Sequence, residues 1–386
     1  MRIAIDARWI YPQISGIGAH TRELIRYLAR EDRVNSYLLL FSERALAERT
    51  WKEAELLDKP NFRPEIIPSG VFSPRSQITL PLHLARRKIE VFHSTNYMIP
   101  LASFPRGRAG QIRCVVTIHD LIPLIFPSAT PRAIKARLFP IYRQLMLEIG
   151  RRADRIIAVS EASRSDIVKH LEIPPARQDN VRVIYNGVSN AFQPLPEAER
   201  PPLNATRPRV ILYVGRSDPY KNLTNLVEAF ALARQQSPVP LALRIIGPPD
   251  PRYPEPGQRV TALGLGDSVT WVGYRSNTEL LRAYQEADVV VLPSRYEGFG
   301  LPVVEAMACG TPVVCSDIPV LREVAGEAAL LNHPDDIPAL AANLLRAVTD
   351  PTLRSQLIAR GLVQAQKFTW EDAARKTVAL YRELSA

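Results

Sequence analysis

The chain has 386 residues, 46% apolar and 23% charged, which is ordinary globular composition and more than one average domain needs. No apolar run approaches the ~18 residues of a membrane-spanning helix, and Cys114, Cys309 and Cys315 form neither a metal spacing nor an even disulfide framework, so a reducing cytoplasm is expected. The formal charge of +10 favours an anionic partner, but aromatics are only 7% and are not interleaved with basic runs, which sets nucleic acid aside.

The opening MRIAIDARWI alternates and carries Arg2, Asp6 and Arg8, the pattern of a strand and not of a signal peptide. SGIGAH, residues 15–20, then reads as a glycine-containing turn before a helix over 21–29. It fails as a dinucleotide fingerprint, because the third glycine position is Thr21 and the loop is too long. Gly16 and Gly18 are either turn residues or a place where backbone amides approach a phosphate or sugar. Further short apolar runs follow: YLLLF, VFH, CVVTIH, RIIAVS and VRVIY. They are β-rich without alternating, as strands buried on both faces are, and helical periodicity separates them. His119-Asp120 follows CVVTI directly, so His119 is either an imidazole satisfied by the fold or one that faces a ligand hydroxyl. Residues 131–155, PRAIKARLFPIYRQLMLEIGRRADR, mix Arg and Lys with Leu, Phe, Ile and Met at helical spacing. They are a domain helix with a solvated basic face or an interfacial helix on anionic lipid.

FQPLPEAERPPL, residues 192–203, is a proline-rich polar stretch, after which the strand series restarts with VILYVG, LALRIIG, VTWVG, ADVVVLPS, TPVVCS and AALL. The expected organisation is α/β: two Rossmann-like, doubly wound parallel-sheet domains with strand ends facing a cleft. The first spans 1–192, a linker spans 193–208, and the second spans 209–368. Beyond Phe368-Thr369-Trp370 a last amphipathic helix, 369–386, is expected to turn away and rejoin the first domain.

Two places in the second half carry chemistry. In VGRSDPYKNLTNLVEAF, residues 214–230, a helix begins at Asn222 or its neighbour. Lys221 therefore lies at the positive end of a helix dipole, a placement that disfavours a cation by up to ~1 kcal/mol. With Arg216 in the same turn, the site lacks only an anion, and a diphosphate fits. In RYEGFGLPVVEAMACGTPVV, residues 295–314, Gly298 and Gly300 allow close backbone approach and Pro302 suits a first helical turn. The amides of Phe299, Gly300 and Leu301 point at a ligand. Glu297 at the strand lip and Glu305 about one turn into the helix supply acceptors for vicinal diols. A glycosidase pair would leave Arg216 and Lys221 without a role.

These residues together resemble the retaining nucleotide-sugar glycosyltransferases of family 4, with the two-Rossmann GT-B fold. The pattern E-x7-E reads Glu297-GFGLPVV-Glu305, and the phosphate-binding pair reads Arg216-SDPY-Lys221. Asp6-Ala-Arg, Gly16-Ile-Gly18, Thr117-Ile-His119-Asp120 and Asn186-Gly187 also match, end to end. The resemblance implies that Arg216 and Lys221 hold a donor diphosphate and Glu305 the ribose hydroxyls. Glu297 would meet the transferred sugar, and the amides of Phe299, Gly300 and Leu301 its hydroxyls or phosphate. Gly16 and Gly18 would let a loop close on the donor, and His119 would bond a sugar hydroxyl. It further implies retention, no cofactor and no metal, consistent with the lack of an Asp-x-Asp motif.

The implied donor is of the GDP-mannose or UDP-glucose type, and the acceptor a saccharide or polyprenyl-linked sugar in surface polysaccharide or glycolipid synthesis. The implied location is cytoplasmic, peripheral at the inner face of the plasma membrane, against an anionic surface. The alternatives are a sugar-nucleotide epimerase of the same fold and a non-catalytic sugar-nucleotide-binding protein. A pyridoxal-phosphate phosphorylase would need a second-domain lysine other than Lys221, and none lies between Lys169 and Lys367 except Lys221.

Overall fold

The computed structural model describes residues 1–13, 15–107, 110–127, 138–196, 199 and 207–384. The chain divides into two compact units, each built on one parallel sheet. The first contains β1 (Arg2–Asp6), α1 (Gly16–Glu31), β2 (Ser36–Phe41), α2 (Arg44–Glu53), β3 (Phe62–Ile66), α3 (Pro74–Arg86), β4 (Val91–Ser94) and β5 (Arg113–Ile118). After α4 (Ile122–Ile125), whose last residue falls in the second unit, it continues with α5 (Phe139–Arg152), β6 (Arg155–Ala158), α6 (Glu161–His170) and β7 (Val181–Val183). Its seven strands run in the order β3-β2-β1-β4-β5-β6-β7. β1 therefore pairs with both β2 and β4, and the winding reverses at the β1/β4 junction. The central strands bury nearly every residue, which explains their continuous apolar runs.

The second unit contains β8 (Arg209–Val214), α7 (Leu223–Gln236), β9 (Leu241–Ile246), α8 (Glu255–Ala262), β10 (Val269–Gly273), α9 (Asn277–Glu286) and β11 (Val289–Leu292). It continues through α10 (Leu301–Ala308), β12 (Val313–Ser316), α11 (Pro319–Ala325), β13 (Ala329–Asn332), α12 (Ile337–Thr349) and α13 (Pro351–Ala365). Its six-stranded order, β10-β9-β8-β11-β12-β13, puts the reversal at β8/β11. Both regions singled out in this half follow those two strands.

The last helix, α14 (Trp370–Glu383), belongs to the first unit, where it packs against α1. Thr369 caps it by accepting from the Asp372 amide, and Trp370, Ala374, Val378 and Tyr381 join the first unit's core. Gly187 marks the crossing: a β-carbon there would lie 2.2 Å from the Trp370 nitrogen. Among the described residues the units meet in sequence at Leu124/Ile125, Gly187/Val188 and Phe368/Thr369, with Val188 N–H donating to the Phe368 carbonyl at 3.0 Å. The Gly187/Val188 boundary thus precedes the expected residue 192, because residues 188–192 are tied to the second unit by that bond and by Phe192 packing on Tyr284. Most of the expected linker, and residues 131–137 of the basic segment, lie outside the described residues; the rest of that segment is largely α5.

Candidate functional site

At the end of β8 the backbone is shaped by glycine. Gly215 and Gly247 approach so closely that a β-carbon on Gly247 would sit 1.9 Å from the Gly215 carbonyl oxygen. Tyr213, buried beneath, donates its hydroxyl to the Arg216 carbonyl at 2.7 Å and fixes the turn. Arg216 projects outward with its side chain 60% exposed, its Nε 2.9 Å from Asp218. A single 3-10 turn, Pro219–Lys221, leads to Asn222, which adopts the left-handed conformation at φ 63° and starts α7. The Asn222 amide donates to the Pro293 and Pro334 carbonyls at 3.1 and 2.7 Å, tying this helix start to the end of β11. Lys221 does stand ahead of a helix N-terminus.

Lys221 already has an anion. Its ammonium lies 2.7 and 2.8 Å from the two carboxylate oxygens of Glu297, across 76 residues of sequence. Ser294 donates its hydroxyl to the same carboxylate at 2.6 Å. Both charged side chains are largely buried, which strengthens the attraction relative to a surface pair. The sequence expectation of a cationic turn without an anion is therefore corrected: the turn after β8 supplies Lys221 and the loop after β11 supplies Glu297.

Gly300 caps α10 at φ 96°, where a β-carbon would meet the Leu321 side chain at 2.6 Å, so only glycine fits. Phe299 is buried, its ring edge-on to Phe368 at 5.5 Å, and Leu301 and Pro302 form the first turn of α10. Glu305, one turn in, accepts from the buried Tyr284 hydroxyl at 2.7 Å. Burial pushes its carboxyl up to about 7, with the Tyr284 hydrogen bond opposing. The two glutamates thus have different partners: Glu297 is held by Lys221 and Ser294, Glu305 by Tyr284.

In the first unit, Gly16 and Gly18 are not in a turn before the helix but in its first turn. Ser15 caps α1 by accepting from the Gly18 amide at 3.2 Å, which starts the helix five residues ahead of Thr21. His119 stands at the end of β5 and donates from Nε2 to the Thr95 carbonyl at 2.9 Å, leaving Nδ1 as acceptor. Its ring meets His20 edge-on at 4.5 Å. Burial lowers the basicity of both imidazoles; charge on His119 would lower His20 further, while the Thr95 carbonyl and Asp120 oppose the shift at His119.

Sequence reasoning placed a helix start at or next to Asn222 without its left-handed cap, and gave no role to Ser294, Tyr284 or His20. An asparagine just before a helix could have signalled the left-handed cap, whereas the partnership of Tyr284 with Glu305 leaves no pattern along the chain.

With this geometry in hand, two family profiles match: Glycosyltransferase Family 4 over residues 14–192 and Glycosyl transferases group 1 over residues 196–363. The O-antigen chain mannosyltransferase B of Escherichia coli is 29% identical over the whole of both chains. Among solved structures, sucrose-phosphate synthase from Thermosynechococcus elongatus superposes with a TM-score of 0.75, at 26% identity over 99% of this chain and 98% of that one. Anabaena HepE in complex with UDP-glucose shares the fold at a TM-score of 0.73 and 20% identity, over 100% of this chain and 99% of that one. The profiles describe glycosyl transfer and set aside the epimerase and binding-only readings. Two doubly wound units, the E-x7-E acids in the loop after β11 and on α10, and the Arg216–Lys221 turn after β8 all agree: the chain belongs to glycosyltransferase family 4 and is a GT-B glycosyltransferase.

Proposed function

We propose that the chain moves a hexose, with retention at the anomeric carbon, from a nucleotide-diphosphate sugar to a saccharide or lipid-linked acceptor in surface polysaccharide or glycolipid assembly. The observation that carries this reading is the Lys221–Glu297 pair at the β8/β11 reversal. It sets a phosphate-binding cation and a sugar-binding carboxylate within one hydrogen bond of each other. Arg216 and Lys221 take the diphosphate, Glu305 the ribose hydroxyls, and Glu297 the hexose, with the amides of Phe299, Gly300 and Leu301 on sugar hydroxyls or phosphate. In the first unit, the roles are backbone contacts from Gly16 and Gly18 toward the donor and a hydrogen bond from a sugar hydroxyl to His119.

In this reaction the acceptor oxygen bonds to the anomeric carbon from the face the phosphate leaves. The bond from that carbon to the phosphate oxygen breaks with its electron pair, and the acceptor's proton passes to the departing phosphate. Arg216 and Lys221 stabilise the growing phosphate charge, the main electrostatic contribution. The reaction is proposed to need neither metal nor cofactor, on the absence of an Asp-x-Asp motif from the sequence. Among the described residues no helix is long and apolar enough to cross a membrane, and the proposed location is cytoplasmic, peripheral at the inner membrane face.

GDP-mannose is the first donor to test, since a relative matched along its whole length is named a mannosyltransferase. A panel of GDP-mannose, UDP-glucose and UDP-N-acetylglucosamine, read by nucleotide release with and without EDTA, tests donor and metal together. Magnesium-reversible loss of activity in EDTA would overturn metal independence, and an inverted product anomer by NMR would overturn retention.

A further inference from the structure

The first unit carries a surface at α3 that the transfer reaction does not use. Arg75, Ile78, Thr79, Leu82 and Arg86 follow the spacing of one helix face and all are exposed. Ile78 is 69% and Leu82 57% exposed, although most apolar side chains of this unit are in its core. Just ahead of the helix, Phe72 is 54% exposed, and its ring stands edge-on to the buried Trp9 at 5.5 Å. That bracing holds an apolar ring out toward solvent. Beside the helix lies a groove of about 300 Å³, lined by Ile66, Arg75, Thr79, Leu82, His83 and Arg86 among others.

The charge along α3 itself has one sign, although Glu65 also lines the groove. No aspartate or glutamate occurs from Ile66 to Ile89, while Arg75, Arg86, Arg87 and Lys88 fall inside that stretch. Glu65, at its edge, is taken up by Arg87 at 2.7 Å. Two copies meeting through this face would set arginines against arginines, which disfavours self-association. An anionic bilayer suits both halves of the chemistry: apolar side chains enter the acyl boundary while arginines stay among the phosphates.

We propose that the α3 face, with Phe72, Ile78 and Leu82 flanked by Arg75 and Arg86, is where this chain seats on an anionic lipid bilayer. The inference rests on the proposed membrane-side location and moves the contact from residues 131–155 to α3.

The test is sedimentation with vesicles of phosphatidylcholine alone and of phosphatidylcholine with phosphatidylglycerol, at low and high salt. The wild-type chain is expected to pellet with the anionic vesicles only and to be released by salt. Arg75→Ser with Arg86→Ser should weaken binding roughly 10- to 30-fold, and Ile78→Asp with Leu82→Asp should abolish it. Every substituted side chain is exposed, and unchanged thermal melting will confirm that the variants fold. Ile141→Asp with Arg143→Ser, on the exposed side of α5, should bind as wild type does. Loss of binding in this α5 variant, with the α3 variants unaffected, would overturn the α3 assignment while leaving membrane binding intact. A wild-type chain that pellets with neither vesicle would overturn both, without touching glycosyl transfer, which is read separately by nucleotide release in the absence of lipid. A concentration-dependent dimer abolished by Ile78→Asp with Leu82→Asp would give the face to a second copy and also overturn the proposal.

Discussion

Lys221 and Glu297 hold each other through both carboxylate oxygens, at 2.7 and 2.8 Å. A donor diphosphate that engages Lys221 must share it with that carboxylate or draw it away. Glu297→Gln removes the competing charge and keeps an acceptor for Ser294. Bare nucleoside diphosphate should then bind about 3- to 10-fold more tightly, while turnover falls on the order of a hundredfold. A Glu297 that met the sugar alone would leave nucleotide binding unchanged in this variant; the pair with Lys221 gives the effect a sign. Calorimetry beside transfer rates checks it, and weaker binding would sink the competition argument.

Lys221→Met acts in two ways. It removes a charge-assisted bond to phosphate, lowering nucleotide affinity roughly 10- to 100-fold. It also leaves the Glu297 carboxylate largely buried with Ser294 as its remaining partner among the described residues, a loss of about 1–3 kcal/mol in folding stability. Adding Glu297→Gln should restore most of the stability and none of the affinity. Thermal melting of the two single variants and the double variant measures the coupling; additive losses would show that the pair is not coupled.

Glu305 predicts a pH dependence. Its carboxyl titrates at about 7 in the folded chain, held up by burial, against ~4.3 for an ordinary glutamate. Ribose hydroxyls bond best to the ionised form, so nucleotide affinity should be level above pH 7 and fall below it, by at most about tenfold per unit. Because Tyr284 opposes the rise, Tyr284→Phe should move that midpoint upward. Binding isotherms across pH, in two buffers of different ionisation enthalpy, would show the proton released; a flat profile would refute the role of Glu305.

The same group carries a stability consequence. A carboxyl whose folded value lies above its unfolded one opposes folding increasingly as pH rises from the unfolded value through the folded one. Glu305→Gln keeps an acceptor for Tyr284 and never ionises. It should therefore melt higher than wild type at pH 8, by on the order of 2–3 kcal/mol, and show little difference near pH 4. Lower stability at pH 8 would contradict the desolvated, charge-averse setting.

Gly300→Ala should destabilise the second unit by about 1–3 kcal/mol, because the residue is both left-handed and 2.6 Å from Leu321 at its β-position. Gly16→Ala, which meets nothing within 4 Å, should leave melting unchanged and so isolates any effect on donor binding.

Most strands were legible because burial on both faces leaves continuous apolar runs. β3, FRPEI, was not read: it is an edge strand, three of its five residues are exposed, and Pro64 interrupts the pattern. The start of α1 was misplaced because two glycines in a first turn look like a loop, while the deciding contact is the hydroxyl of Ser15. At the site, residue types and spacing located Lys221, Glu297 and Glu305. Their pairing was not readable, because it depends on two strand ends separated by 76 residues.

Because α14 completes the first unit's core, the order of synthesis and the order of folding differ. His93 bonds the Tyr381 hydroxyl at 2.5 Å, and Trp370 stands against Gly187. A ribosome translating this message finishes residues 1–187 long before their last helix emerges. The second unit, almost wholly the continuous run 188–368, has all its strands available earlier. The nascent first unit therefore waits with the α14-binding surface of α1 uncovered, and chaperone demand should be greatest in that interval.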